Sequence, residues 1–192
     1  DLGVEYVSSF ALLGIDKEGL LSTDEKLEVL IARNAWQKEL IWNRFSMDQL
    51  GMSISQPDKV RRSSQTISVG NTGNWSTKNY LPMGCLKNKE TDSILFWQIE
   101  QNGSWYWEIS DQDGHMYLQL SGPTEHQSHW WKNLKPGDTF ASVPVSVGSA
   151  CGDVEEAAGE LTKYRRAIRR KNEDNEKLPV IFNDYMNCLW GD

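Results

Sequence analysis

Strand-like segments fill the first three quarters of this chain, and the first convincing helix begins only at Asp153. Apolar residues alternate with polar ones over 5–15, 26–31, 36–45 and 66–69, and again over 139–147 after the turn Lys135-Pro136-Gly137-Asp138. Residues 93–101, 104–110 and 115–121 read as a three-stranded meander, because Asn102-Gly103 and Asp111-Gln112-Asp113-Gly114 are strong turn signals. In the first of these strands Ile94 and Phe96 point one way and Leu95, Trp97 and Ile99 the other, so both faces are apolar and a layered arrangement is expected. Strands first and helix afterwards predict a mainly β fold, an antiparallel sandwich over 1–150, followed by something else.

From Asp153 the period changes. Asp153 and Glu156 have capping-box spacing, and Val154, Ala157, Leu161, Tyr164 and Ile168 make one apolar stripe. Acids at its start and bases at its end complement the helix dipole, so KYRRAIRRK is the C-terminal half of an amphipathic helix within a linker over 151–177. After a polar stretch, LPVIFNDY reads as a buried strand of the parallel type within a third region, 178–192. If it is a barrel strand, Asn183, Asp184 and Tyr185 emerge at the end where barrel enzymes place their chemistry; alternatively Asp184 only caps the following loop.

A net charge of -7 argues against nucleic acid as the main partner, since phosphate binding needs a basic surface. No apolar run approaches the roughly 20 residues of a membrane span, so no membrane partner is expected. Cys85, Cys151 and Cys188 show no paired spacing, which suggests reduced, packed thiols in a cytoplasmic protein. His126 and His129 lie in a loop without a third ligand, and neither a metal nor a cofactor is expected. The nine Trp suit either sheet core or sugar stacking, and for Trp97, Trp105 and Trp107, on the central strands, core is the expectation.

Five segments in order resemble glycoside hydrolase family 36, the α-galactosidase family. These are GVEYVSSFAL, NAWQKELIW, SVGNTGNW, LKPGDTFASVPVSVG and LPVIFNDYMNCLWGD. The resemblance implies a galactose-mutarotase-like β-supersandwich, entered partway, then a helical linker and the first strand of a (β/α)₈ barrel that the sequence does not complete. It implies a homo-oligomeric parent that releases terminal α-linked galactose from oligosaccharides by the retaining mechanism, with both catalytic carboxylates on later strands and none in this sequence. Asn183, Asp184 and Tyr185 would be substrate-binding. Where many members carry Asn-Asn-Trp-Glu, this chain has Asn183-Asp184-Tyr185-Met186, which changes the aromatic wall of the pocket. Two other classes compete with this reading: a free-standing carbohydrate-binding module and a structural or oligomerisation domain.

Overall fold

In the computed structural model, residues 2–5, 7–16, 26–52, 65–112 and 115–185 are described. The strands are β1 (Leu2–Val4), β2 (Ser8–Asp16), β3 (Leu27–Ala35), β4 (Lys38–Ser46), β5 (Thr66–Asn71), β6 (Tyr80–Asn88), β7 (Ser93–Ile99), β8 (Trp105–Gln112), β9 (His115–Ser121), β10 (Lys132–Leu134) and β11 (Val145–Cys151). The helices are α1 (Glu125–Ser128), α2 (Val154–Ile168) and α3 (Glu173–Lys177). Among the described residues the strands form a five-stranded sheet, β11-β7-β6-β3-β4, a four-stranded sheet, β2-β9-β8-β5, and the small pair β1-β10. All pairings are antiparallel.

The two larger sheets turn their inner faces into one core. Val29, Ile31, Leu86, Trp97 and Ile99 come from the first, and Val69, Trp105, Trp107, Ile109, Leu118 and Leu120 from the second. Trp97 and Trp107 meet edge to face across the gap, ring centroids 5.1 Å apart, a favourable arrangement of the ring quadrupoles. The expectation that Trp97, Trp105 and Trp107 are core is met, each being at most 2% exposed.

The meander is corrected. β7 pairs with β6 and β11, whereas β8 pairs with β5 and β9, so the chain crosses between sheets from Ile99 to Trp105. The reason lies in the two patterns. β7 is apolar on both sides, and its second face, with Ile94 and Phe96, packs under α2. β8 is apolar on one side only and carries Tyr106, Glu108 and Ser110 on the other, which suits the sheet that no described helix covers. Asn102-Gly103 signals a turn without specifying which strands it joins.

The central strand β6 escapes sequence patterning because Pro82 and Gly84 interrupt it. Its ladder with β3 shifts register between Ile31 and Arg33, so Pro82 sits where pairing is already broken. At Gly84 a Cβ would come within 2.5 Å of the Trp97 ring, and the glycine makes room for the indole. The strand expected over 139–147 starts only at Val145, after Pro144, which has no N–H to give the ladder; its carbonyl accepts from Glu100 N at 2.9 Å.

The α2 expectation holds: the capping box joins Asp153 and Glu156, and Ala157 and Leu161 are buried against the outer face of β3, β6 and β7. The helix read as part of a linker is thus a third layer on the sheet. The buried strand expected at 178–185 is not seen. Leu178 caps α3 in the left-handed region (φ +46), and 179–184 run outside any strand, with Val180 100%, Ile181 83% and Phe182 78% exposed. A strand exists only beside a hydrogen-bonding neighbour, and no described strand lies alongside this stretch. Residues 186–192 lie outside the described residues.

Candidate functional site at the tryptophan-rich end

Strand direction sorts the chemistry of this fold into two ends. At one end lie Glu28, Ser46, Asn88, Ser93 and Cys151, close to one another in the ladders, and the start of α2. Ion pairs gather here: Lys26–Glu90 at 3.0 Å, Arg44–Asp153 at 2.6 Å, Arg44–Glu28 at 3.2 Å and Lys89–Glu28 at 2.7 Å. Lys87 Nζ, nearly buried, donates to Asp92 Oδ1 and to Gly152 O, both at 2.5 Å.

The other end receives the β3–β4 turn, the 72–79 loop, the 100–104 crossing and the long connection 122–144. It is aromatic. Trp36 occupies the turn and is 90% exposed, next to Gln37 in the left-handed region at φ +63. The alternation over 36–45 predicts that Trp36 opens a strand; it stands in the turn instead, and β4 begins at Lys38. Trp75 on the 72–79 loop is also exposed, as is Trp131 on the long connection, next in sequence to Trp130, whose ring lies tilted by 39° against Phe140 at 5.5 Å.

The loop bearing Trp75 is held by side chains rather than by a ladder. Asn71 Nδ2 donates to Ser76 O at 2.7 Å and to Tyr80 O at 2.9 Å, and Trp105 Nε1 donates to Ser76 O at 2.6 Å. Asn34 ties the loop to the turn that carries Trp36: its Nδ2 donates to Thr77 O at 2.6 Å, and its backbone N–H to Asn79 O at 3.0 Å. Two exposed indoles therefore ride on segments fixed to one another by hydrogen bonds of the protein itself. That preorganisation removes part of the ordering cost of binding.

Polar groups border the aromatics. Arg33 lies over the Tyr80 ring at 5.3 Å and donates to its hydroxyl at 3.0 Å. Glu100 accepts from Ser146 Oγ at 2.6 Å, Tyr164 Oη at 2.5 Å and Gln98 Nε2 at 3.3 Å. The Ser146 and Tyr164 bonds hold its carboxyl below the usual glutamate range. Three donors hold this carboxylate in place as an acceptor. Apolar indole faces with amide and hydroxyl groups at their margin can stack on the C–H face of a sugar ring and bond its hydroxyls.

The residues singled out by sequence lie on the exposed 178–185 stretch. Asn183 Oδ1 accepts from Tyr185 N at 3.0 Å in a local turn, and Tyr185 is exposed. Among the described residues no group of three or more His, Cys, Asp or Glu could hold a metal; His129 only approaches Glu125, at 3.9 Å. No described helix is long and apolar enough to cross a membrane. Cys85 is packed, and burial pushes its thiol up to about 12, but Cys151 is exposed, against the expectation of packed thiols; Cys188 lies outside the described residues. No protein-family model matches the chain, and no curated protein matches it.

Proposed function

We propose that this chain is the β-sandwich region of a cytoplasmic, homo-oligomeric retaining α-galactosidase of the family 36 type, and that its tryptophan-rich end faces the α-galactoside. The observation that carries the reading is the segregation of Trp36, Trp75 and Trp131, all exposed, to the end opposite the ion pairs. Solvent exposure of an indole costs roughly 1.5 to 3 kcal/mol of forgone burial, and several such residues at one end are a recognition surface rather than a folding device. In this proposal the sandwich is the galactose-mutarotase-like supersandwich, and the uncovered apolar run Val180-Ile181-Phe182 becomes the first barrel strand once neighbours cover it. Asp184 and Tyr185 then reach the sugar beside Asn183, and the acid/base pair is supplied by later strands.

A free-standing carbohydrate-binding module is the second reading, favoured by the side-chain bonds that hold the Trp75 loop in place. One titration treats both. The 192-residue chain is expected to release no nitrophenol from nitrophenyl α-galactoside, yet raffinose should perturb the indole N–H resonances of Trp36 and Trp75 saturably. Turnover by the chain alone would overturn the placement of the catalytic carboxylates. Absence of any raffinose effect, with none on adding Trp36→Ala, would remove the sugar-facing role of this end. Binding tight enough to raise the melting temperature markedly would favour the module.

A further inference from the structure

Asn102-Gly103, the sole Asn-Gly pair in the sequence, does not close a hairpin. In a two-residue hairpin the paired strands on either side hold both residues at positive φ. Here neither residue is at positive φ, and β7 and β8 belong to different sheets, so no ladder clamps the pair. The crossing is anchored only at its ends: Glu100 N donates to Pro144 O at 2.9 Å, and Ser104 Oγ accepts from Gly73 N at 2.8 Å. Between these anchors Asn102 is exposed, and among the described residues neither its amide nor the Gly103 N–H has a hydrogen-bond partner.

The neighbouring asparagines differ on each point. Asn71 Nδ2 is bonded to Ser76 O and Tyr80 O, and Asn34 uses both its Nδ2, on Thr77 O, and its Oδ1, which accepts from Leu40 N. Each also precedes a residue with a Cβ, Thr72 and Ala35, which shields the backbone nitrogen. A glycine nitrogen has no such shield. Asn102 therefore combines a free side-chain amide with an unhindered, unbonded backbone nitrogen one residue on.

We propose that Asn102 is a self-modification site, its amide being converted through a cyclic imide into aspartyl and isoaspartyl forms with water as the only co-reactant. Gly103 N attacks Asn102 Cγ and closes a five-membered ring. The Cγ–Nδ2 bond breaks, and Nδ2 leaves as ammonia, carrying the proton lost from Gly103 N. Water then adds to one of the two imide carbonyls and returns a proton to the ring nitrogen. Opening at Cγ restores the backbone with an aspartate side chain; opening at the Asn102 backbone carbonyl carbon leaves the chain running through Cβ and Cγ, as isoaspartate. Nothing is oxidised or reduced. Either product adds a carboxylate that is ionised at neutral pH, making the net charge of -7 one unit more negative. Isoaspartate also lengthens the backbone by one carbon between the Glu100 and Ser104 anchors, and through Gly73 that change reaches the loop bearing Trp75. The site does not depend on the glycosidase reading.

In warm, mildly alkaline buffer the chain should gain about 1 Da, the difference between water taken up and ammonia lost. Fragment-ion sequencing should place that gain, and an isoaspartyl bond, at 102. The rate should stay within about tenfold of that for the same chain unfolded in urea, whereas a site that reacts only through global unfolding is slowed by about a thousandfold or more. Asn102→Gln should abolish the gain at 102. Gly103→Ala should slow it at least about tenfold, and its new Cβ would meet nothing nearer than the Gln101 side-chain amide, at 3.3 Å, so the variant folds. A larger slowdown on folding, a gain that leaves 102 unchanged, or an undiminished rate in Gly103→Ala overturns the site. Aspartate without isoaspartate overturns the imide route. In the isoaspartyl fraction the Trp75 indole N–H resonance should move, and an unmoved signal overturns the link to that loop.

Discussion

Two tryptophans show how the same side chain is assigned opposite work by its place in the ladder. Trp107 is fully buried and meets Trp97 edge to face; removing its ring leaves a cavity that rigid sheets on both sides cannot close. Trp107→Ala should therefore cost about 3 to 5 kcal/mol in urea unfolding, as is usual for a buried Trp. Trp36→Ala should change stability by no more than about 0.5 kcal/mol, because the indole is 90% exposed and no packing is lost. Equal destabilisation by the two would refute the division of the Trp set into core and surface. The core half was legible in sequence, since Trp105, Trp107 and Ile109 alternate with polar residues on a clear period of two. The surface half was not. Trp36 opens the alternation expected over 36–45, and only the turn at Gln37, with its positive φ, shows that the strand begins after it.

Among the elements, α2 was the easiest to read and is the most exposed to pH. Asp153 accepts from Val154 N at 2.7 Å and from Arg44 at 2.6 Å; burial pushes its carboxyl up, but the Arg44 bond and the helix N–H outweigh that, and it lies below the usual aspartate range. Glu100, which anchors the far end of the helix through Tyr164, is depressed as well, chiefly by Ser146 and then Tyr164. A carboxylate whose folded pKa is depressed binds its proton more readily in the unfolded chain, so stability rises with pH through this window. The contribution is complete above the unfolded values, near pH 4 to 4.5, and is lost as pH falls through the lower folded ones. Glu100→Gln should lower the unfolding midpoint at pH 7, and its deficit against the native chain should shrink below about pH 4. A deficit that stays constant down to pH 2 would mean that Glu100 contributes as a neutral acceptor only. Helix ends are legible because capping is local; the pairing of β7 and β8 is not, because a turn signal is local and the choice of sheet is made by faces many residues apart. β6 fails for a related reason, its Pro82 and Gly84 being tolerated by a register shift in β3 and an indole in β7 that no window around them contains.

At the scale of the whole molecule the three layers imply a gradient of local stability running from the middle sheet outward. β3 and β6 each have a strand on either side, the shared core on one face and α2 or Trp42 on the other, and their central residues are buried almost without interruption. β7 is covered in the same way by β6, β11 and α2. Among the described residues β4 pairs on one side only and has a largely exposed pattern, and 178–184 have no strand beside them. Exchange of a buried, doubly paired amide requires opening of the whole sandwich, whereas an edge amide needs only fraying. Hydrogen–deuterium exchange should thus leave peptides from β3, β6 and β7 protected longest, β4 intermediate, and 178–184 exchanged within the earliest time point. The last of these is the most informative. Protection at 178–184 in the chain alone would mean that the exposed apolar run has found a cover, in a second copy or elsewhere on the sandwich, and its proposed role as a strand awaiting barrel neighbours would fall. Immediate exchange there, with slow exchange in β6, would leave the run as an apolar segment whose burial depends on residues this sandwich does not supply.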